Sequence, residues 1–350
     1  MQQRGMTRRQ SLQYAGVAGG GTALAAILAA CGESKPEGPE EEEGAQGGGS
    51  GLGRGIKIRF FAGGEAGDAF ASIVFNGAKA ATAAYGPDVE YVFSGWDIER
   101  MQSQLRDAIA ANPDGIAMMG HAGDDALLPL ARQASEAGIV MMWQNVDVPK
   151  VREQLGGGYV GANLTRQGRA LGEETFRAAG LAGGDEAIVF GAFGEPGRDI
   201  REAATADFFD EQGMSVQRIR ALPETAADPN LLTPLVSSAF RRRPDTKVIV
   251  YSGGQTLGAV PQYMQAINKD PGQVTNVGFD LSPAIIDAFE KGWVQITSDQ
   301  QPYLQGYLPI LSLVLTKKYA FAPLNVDTGS GFVTERNFES ISELVKQGIR

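Results

Sequence analysis

One histidine, His121, and one cysteine, Cys31, stand in a chain of 350 residues, so Ser-His or Cys-His nucleophilic pairs, internal disulfides and cysteine-rich zinc sites lack their raw material. His121 has Asp124 and Asp125 close by, but Asp125 falls where a helix-start carboxylate belongs and Asp124 where a solvated one does. That ligand set is incomplete, and His121 reads as a structural or rim residue. The residues left for chemistry are Asp68 and Phe70, Trp96 and Asp97, Asn145, Arg198 and Arg201, Ser252 and Gln255, Phe279 and Asp280, and Gln300. Carboxylates, amides and guanidinium groups match vicinal hydroxyls, while aromatic faces pack on apolar C–H surfaces. A sugar needs this mixture. Neither a metal nor a cofactor is expected.

These residues lie at or shortly after the ends of segments that read as β-strands. Short apolar runs alternate with stretches of helical period, the pattern of βαβ units and parallel sheets. Strands are expected at Ile56–Ala62, Val89–Ser94, Gly115–Met119, Ile139–Gln144 and Gly158–Gly161, with helices at Ala69–Tyr85, Ile98–Ala111 and Asp125–Ala137. A second set follows, with strands at Ala187–Gly191, Ser215–Leu222, Val248–Ser252, Val274–Phe279 and Thr297–Asp299. Its helices are expected at Arg166–Ala179, Ile200–Gln212, Pro229–Arg242, Leu257–Asn268 and Pro283–Lys291. The fold class is therefore α/β, with two doubly wound parallel-sheet lobes, whose ligands bind outside the carboxyl ends of the strands. Met118-Met119 and Met141-Met142-Trp143 read as buried strand residues rather than a metal box.

At 43% hydrophobic and 21% charged residues the chain suits two compact domains and is too apolar to stay disordered. A net charge of −10 with no basic stripe argues against nucleic acid as a partner. Residues 1–30 have a secretory layout, with Arg4, Arg8 and Arg9 ahead of the uncharged stretch Tyr14–Ala30. That stretch is shorter than the ~20 residues a membrane-spanning helix needs. Leu28-Ala29-Ala30-Cys31 resembles a bacterial lipobox, which implies acylation of Cys31, and Thr7–Gln13 is similar to a twin-arginine export motif with Ser11 and Gln13 at odds with it. Residues 31–55, with the run Glu40–Glu43 and a Gly-rich stretch, read as a flexible tether. Removal of the three arginines ahead of Cys31 takes the charge from −10 to −13. An acidic, lipid-anchored domain outside the cytoplasm is expected.

Val277-Gly278-Phe279-Asp280 and Thr297-Ser298-Asp299-Gln300-Gln301-Pro302, together with Asp114-Gly115-Ile116, Ala137–Met142 and Gly161-Ala162-Asn163, resemble ribose-type (type I) periplasmic sugar-binding proteins of ABC importers over Ile56–Leu324. The resemblance implies lobes of residues 56–161 plus 301–326 and 162–300 plus 327–350. It implies that Asp280 accepts hydrogen bonds from two sugar hydroxyls, although a strand-end turn or helix cap is the other reading, and that Gln300 bridges ligand and hinge. Phe70 falls where the family has a stacking aromatic and Asp68 where an amide often contacts ligand; a core Phe is the other reading for Phe70. Asn145 and Val146 replace a frequent Asp and Arg, and Ser252-Gly253-Gly254-Gln255 replaces an Asn-Asp pair, so sugar identity does not transfer. Arg198 and Arg201 compete for one ligand-binding Arg position, with Arg201 favoured. Phe279 and Gln255 join the set, and Trp96 is either a second stacking face or part of a lid or partner surface.

The function so implied is a monomeric, non-enzymatic receptor that closes two lobes around a monosaccharide or polyol and delivers it to ABC permease subunits. A receptor for a sugar-like signal or a chemotaxis sensor fits the same residues. A carbohydrate-active enzyme would need paired carboxylates at a defined separation, for which Asp68, Asp97 and Asp280 are candidates. A transcription regulator would need a basic helix-turn-helix where the signal and acidic tether lie.

Overall fold

The computed structural model describes residues 51–194, 199–221, 224–329 and 331–350. Among them are strands β1 (Lys57–Gly63), β2 (Asp88–Phe93), β3 (Gly115–Met119), β4 (Val140–Gln144), β5 (Gly158–Gly161) and β6 (Glu186–Gly191). The later strands are β7 (Ser215–Arg220), β8 (Thr246–Tyr251), β9 (Thr275–Phe279), β10 (Ile296–Asp299), β11 (Asn325–Asp327) and β12 (Gly331–Thr334). They form two six-stranded sheets, ordered β11-β5-β4-β3-β1-β2 and β12-β10-β9-β8-β6-β7. All neighbours run parallel except β12, which pairs antiparallel with β10. Central strands such as β3 are buried along their whole length because helices cover both sheet faces, whereas the edge strands β2 and β7 alternate toward solvent. Each lobe accordingly has two apolar cores, one on either face of its sheet.

Both sheets repeat one winding, so each has a switch point, between β1 and β3 in the first lobe and between β6 and β8 in the second. Loops leaving the carboxyl ends diverge there and open a crevice. The helices that follow are started by local side-chain chemistry. Asp68 caps Ala69–Tyr85 by accepting the Ala71 N–H at 2.8 Å, Asp97 caps Ile98–Ala110 through the Arg100 N–H at 2.9 Å, and Asn163 caps Leu164–Ala178 through the Arg166 N–H at 3.0 Å. The chain passes between lobes at residues 162–163, at 300–301, and between β11 and β12.

Proline accounts for three departures from the expected elements. Pro229–Arg242 divides into a 3₁₀ turn, Pro229–Leu232, and a helix, Thr233–Arg242, because Pro234 cannot donate a backbone hydrogen bond. Pro261 likewise separates Gly254–Gly258 from Val260–Ala266. Helix Pro302–Tyr319 was hidden in the sequence by Pro309 and by apolar residues on all its sides. It packs on Ala69–Tyr85 so closely that a Cβ on Gly306 would overlap the Val74 carbonyl and one on Gly77 the Tyr303 carbonyl. No helix among the described residues is long and apolar enough to cross a membrane.

Candidate ligand-binding cleft

A cavity of about 650 Å³ opens between the carboxyl ends of the two sheets. The first lobe lines it with Asp68, Phe70, Trp96, Asp97, His121 and Asn145, and the second with Arg201, Ser252, Gln255 and Asp280. Gln300, at the second crossing, closes it from behind.

Asp280 leaves β9 in the left-handed region, φ 72°, which Asp adopts more readily than most residues with a side chain. It caps no helix: the following helix, Pro283–Glu290, is capped by Ser282, whose Oγ accepts the Ile285 N–H at 3.3 Å. Its Oδ1 accepts the Gln300 amide N–H at 2.7 Å, and Arg201 donates to Oδ1 at 3.4 Å and to Oδ2 at 3.3 Å. These long guanidinium contacts leave acceptor capacity on both carboxylate oxygens. Arg201 is held by the Ser252 carbonyl at 2.8 Å and lies 4.5 Å over the Phe279 ring, so donor and acceptor present side by side. Phe279 itself does not reach the cavity. It is fully buried in the second lobe's core, and the expectation of a ligand-contacting ring there is corrected to that of a floor beneath Arg201.

Behind Arg201 lies Glu202, only 2% exposed, whose Oε1 accepts the Arg201 Nε–H at 3.3 Å while Oε2 has no hydrogen-bond partner. Burial pushes the Glu202 carboxyl up to about 6, against the attraction of Arg201. Burial also opposes the Arg201 charge, but Asp280 and Glu202 outweigh it and raise the guanidinium above its ordinary value.

Gln300 ties the lobes together. It donates to Asp280 in the second lobe and accepts the Asn145 amide of the first at 3.2 Å. Asn145, at φ 62°, also donates to Gln305 Oε1 at 3.1 Å, and Gln305 donates to the Gln300 carbonyl at 2.9 Å and to Thr328 Oγ1 at 3.2 Å. Two of the three crossings therefore share one buried amide network, which is stiff only when all its members are satisfied.

On the first lobe, Asp68 spends Oδ1 on its helix cap and accepts the Trp96 indole N–H on Oδ2 at 3.2 Å. Trp96 stands 5.9 Å from Phe70 and 5.4 Å from His121, ring centre to ring centre, so an aromatic wall faces the polar wall of the second lobe. Polar groups opposite rings suit a flat polyhydroxylated ligand. Among the described residues no group of three or more His, Cys, Asp or Glu is placed to hold a metal ion.

Arg198 and Cys31 lie outside the described residues. Two residues that the sequence did not single out matter here, Gln305 and Glu202. Pro302 at the first helical position is the signal for Gln305, since it puts residue 305 on the first turn, beside the crossing. Nothing local distinguishes Glu202 from a solvated helix-start acid.

A family model described as the periplasmic binding protein domain matches residues 60–317. The chain is 36% identical over 110 residues to the xylose/arabinose-binding protein of Sulfolobus acidocaldarius, a match spanning 30% of this chain and 27% of that protein's length. The carbohydrate transporter of Acidothermus cellulolyticus, solved with myo-inositol, superposes with a TM-score of 0.72 at 22% identity, over 84% of this chain and 99% of that one. An ABC transporter solute-binding protein of Burkholderia graminis, solved with D-arabinose, gives a TM-score of 0.71 at 22% identity, over 82% of this chain and 98% of that one.

Proposed function

The chain belongs to the periplasmic binding protein domain family, and from that premise we propose that it is a lipid-anchored, extracytoplasmic receptor that captures one sugar or polyol between its lobes and delivers it to the transmembrane subunits of an ABC permease. The observation that carries the reading is the cleft itself: an aromatic and carboxylate wall from one lobe faces a guanidinium and carboxylate wall from the other across about 650 Å³. Ring hydroxyls bridge Asp280 and Arg201 on one side to Asp68 and Asn145 on the other, and the sugar's C–H face lies on Phe70 or Trp96. A ligand held by both lobes binds the closed arrangement better than the open one, and that difference in affinity drives closure. The Asn145–Gln300–Asp280 chain carries contact from one lobe to the other, so the crossing reports occupancy to the exposed surface that the permease meets.

The role asked of each carboxylate is that of an oriented acceptor. Asp280 is held by Gln300 and Arg201, and Asp68 by its helix cap and the Trp96 indole, so each binds without chemistry. Anchoring rests on Cys31 in its lipobox-like setting, and the Gly-rich acidic stretch before residue 55 supplies the tether of a monomeric domain.

Thermal unfolding of the purified protein against pentoses, hexoses, polyols and inositols tests the reading. Xylose, arabinose and myo-inositol are included because the similar proteins are named for them or hold them. A ligand at ~100 times its dissociation constant adds about 2.7 kcal/mol of stability. One compound that gives this shift without being turned over is expected. Turnover would favour an enzyme, and a folded, ligand-free protein indifferent to the whole panel would refute the sugar reading.

A further inference from the structure

A second cavity, of about 480 Å³, adjoins the cleft and shares with it Phe70, Gly254, Gln255 and Asp280. Beyond those four its walls change character. Ala69 and Ile73 of the first lobe and Leu281, Pro283 and Ala284 of the second line it, together with Pro229 and Pro302. The one other polar side chain lining it is Ser282, already engaged as a helix cap. The cleft, by contrast, presents carboxylates, amides, a guanidinium, a hydroxyl and an imidazole.

A sugar ring carries a hydroxyl on nearly every carbon, and each one buried without a partner is costly. The polar cleft satisfies such a ring, while the adjoining chamber adds few protein partners for hydroxyls beyond those it shares with the cleft. Resting on the sugar reading above, we infer that the ligand is a glycoside, with its sugar in the cleft and an apolar alkyl or aryl aglycone in the chamber. The two parts meet at Phe70 and Asp280, which stand on the walls of both cavities. An aromatic ring beside a carboxylate marks the point where a hydroxylated ring gives way to an apolar substituent. The chamber opens to solvent along Ala69, Pro283 and Ala284, all exposed, so aglycones of several lengths fit without displacing the core.

The test is titration calorimetry with D-glucose, D-galactose, D-xylose, L-arabinose and myo-inositol, and with the methyl and phenyl glycosides of each sugar in both anomers. At least one phenyl glycoside is expected to bind tenfold or more tighter than its parent sugar, with the methyl glycoside between. In Ala284→Phe, which fills the chamber from an exposed position, that advantage falls to within twofold while the parent sugar binds as before; Ala69→Phe does the same from the opposite lobe. Phenyl glycosides binding no tighter than a parent sugar that does bind would overturn the inference and leave the sugar reading standing. An advantage that survives both fillings would also overturn it. No binding by any member overturns both.

Discussion

Replacing Asp280 with Asn isolates the cleft's central acceptor. Asn is at home at φ 72°, where Ala would add a left-handed backbone cost of about 1–2 kcal/mol, so the backbone should stay in place. The change removes a charge and turns one acceptor oxygen into a donor aimed at Arg201. Hydrogen bonds to a charged group contribute about 1.5–3 kcal/mol each. Two such bonds from sugar hydroxyls, taken at the lower end, weaken binding by about a hundredfold. A concentration that had been 100 times the dissociation constant then merely equals it, and ligand-induced stabilisation falls from about 2.7 to about 0.4 kcal/mol. The unliganded protein should lose far less than a stranded buried cation implies, because Arg201 keeps the Ser252 carbonyl at 2.8 Å and Glu202 at 3.3 Å. Thermal unfolding with and without ligand, checked by calorimetric titration, reads both quantities. An Asp280→Asn protein that binds within about threefold of the parent would remove Asp280 from the ligand contacts and with it the reasoning that links the two walls.

Four further outcomes are expected. Because burial raises Glu202 from 4.5 to about 6, the folded state holds its proton more tightly than the unfolded one, so the contribution of Glu202 to stability is most favourable below about pH 4.5 and is lost as pH rises through about 6. Glu202→Gln should abolish that slope and stabilise the protein at pH 7 by up to about 2 kcal/mol, as read by melting temperature against pH. Trp96 lines the cleft while Trp143 and Trp293 are buried, so ligand should change intrinsic fluorescence and Trp96→Phe should remove most of that change. A Cβ at Gly168 would overlap the Arg201 carbonyl, so Gly168→Ala should force apart helices Leu164–Ala178 and Ile200–Glu211, costing about 1–3 kcal/mol of stability and weakening ligand binding together. Cys31→Ser should release the protein from membranes into the soluble fraction, and retention would point to an uncleaved anchor.

Helix Ala69–Tyr85 and strands Gly115–Met119 and Gly158–Gly161 could be read to the residue, because apolar periodicity acts within one element. The alternation of such elements determined the α/β class, and the position of polar residues just past strands pointed to one cleft. Local pattern went no further. Asp68 and Asp280 look alike in sequence, yet only Asp68 caps a helix, because Ser282 stands closer to the next helix start and takes that role. Glu202 reads as a solvated helix-start acid, and tertiary packing buries it behind Arg201. Gln305 and Asn145 are 160 residues apart, and only the return of the chain across the hinge sets their amides 3.1 Å from one another. Periodicity records which side of its own element a residue turns to the core. Which side chains from distant segments meet there depends on strand order, on the crossings between lobes and on the close helix contacts at Gly77, Gly306 and Gly168, and these the tertiary structure alone decides.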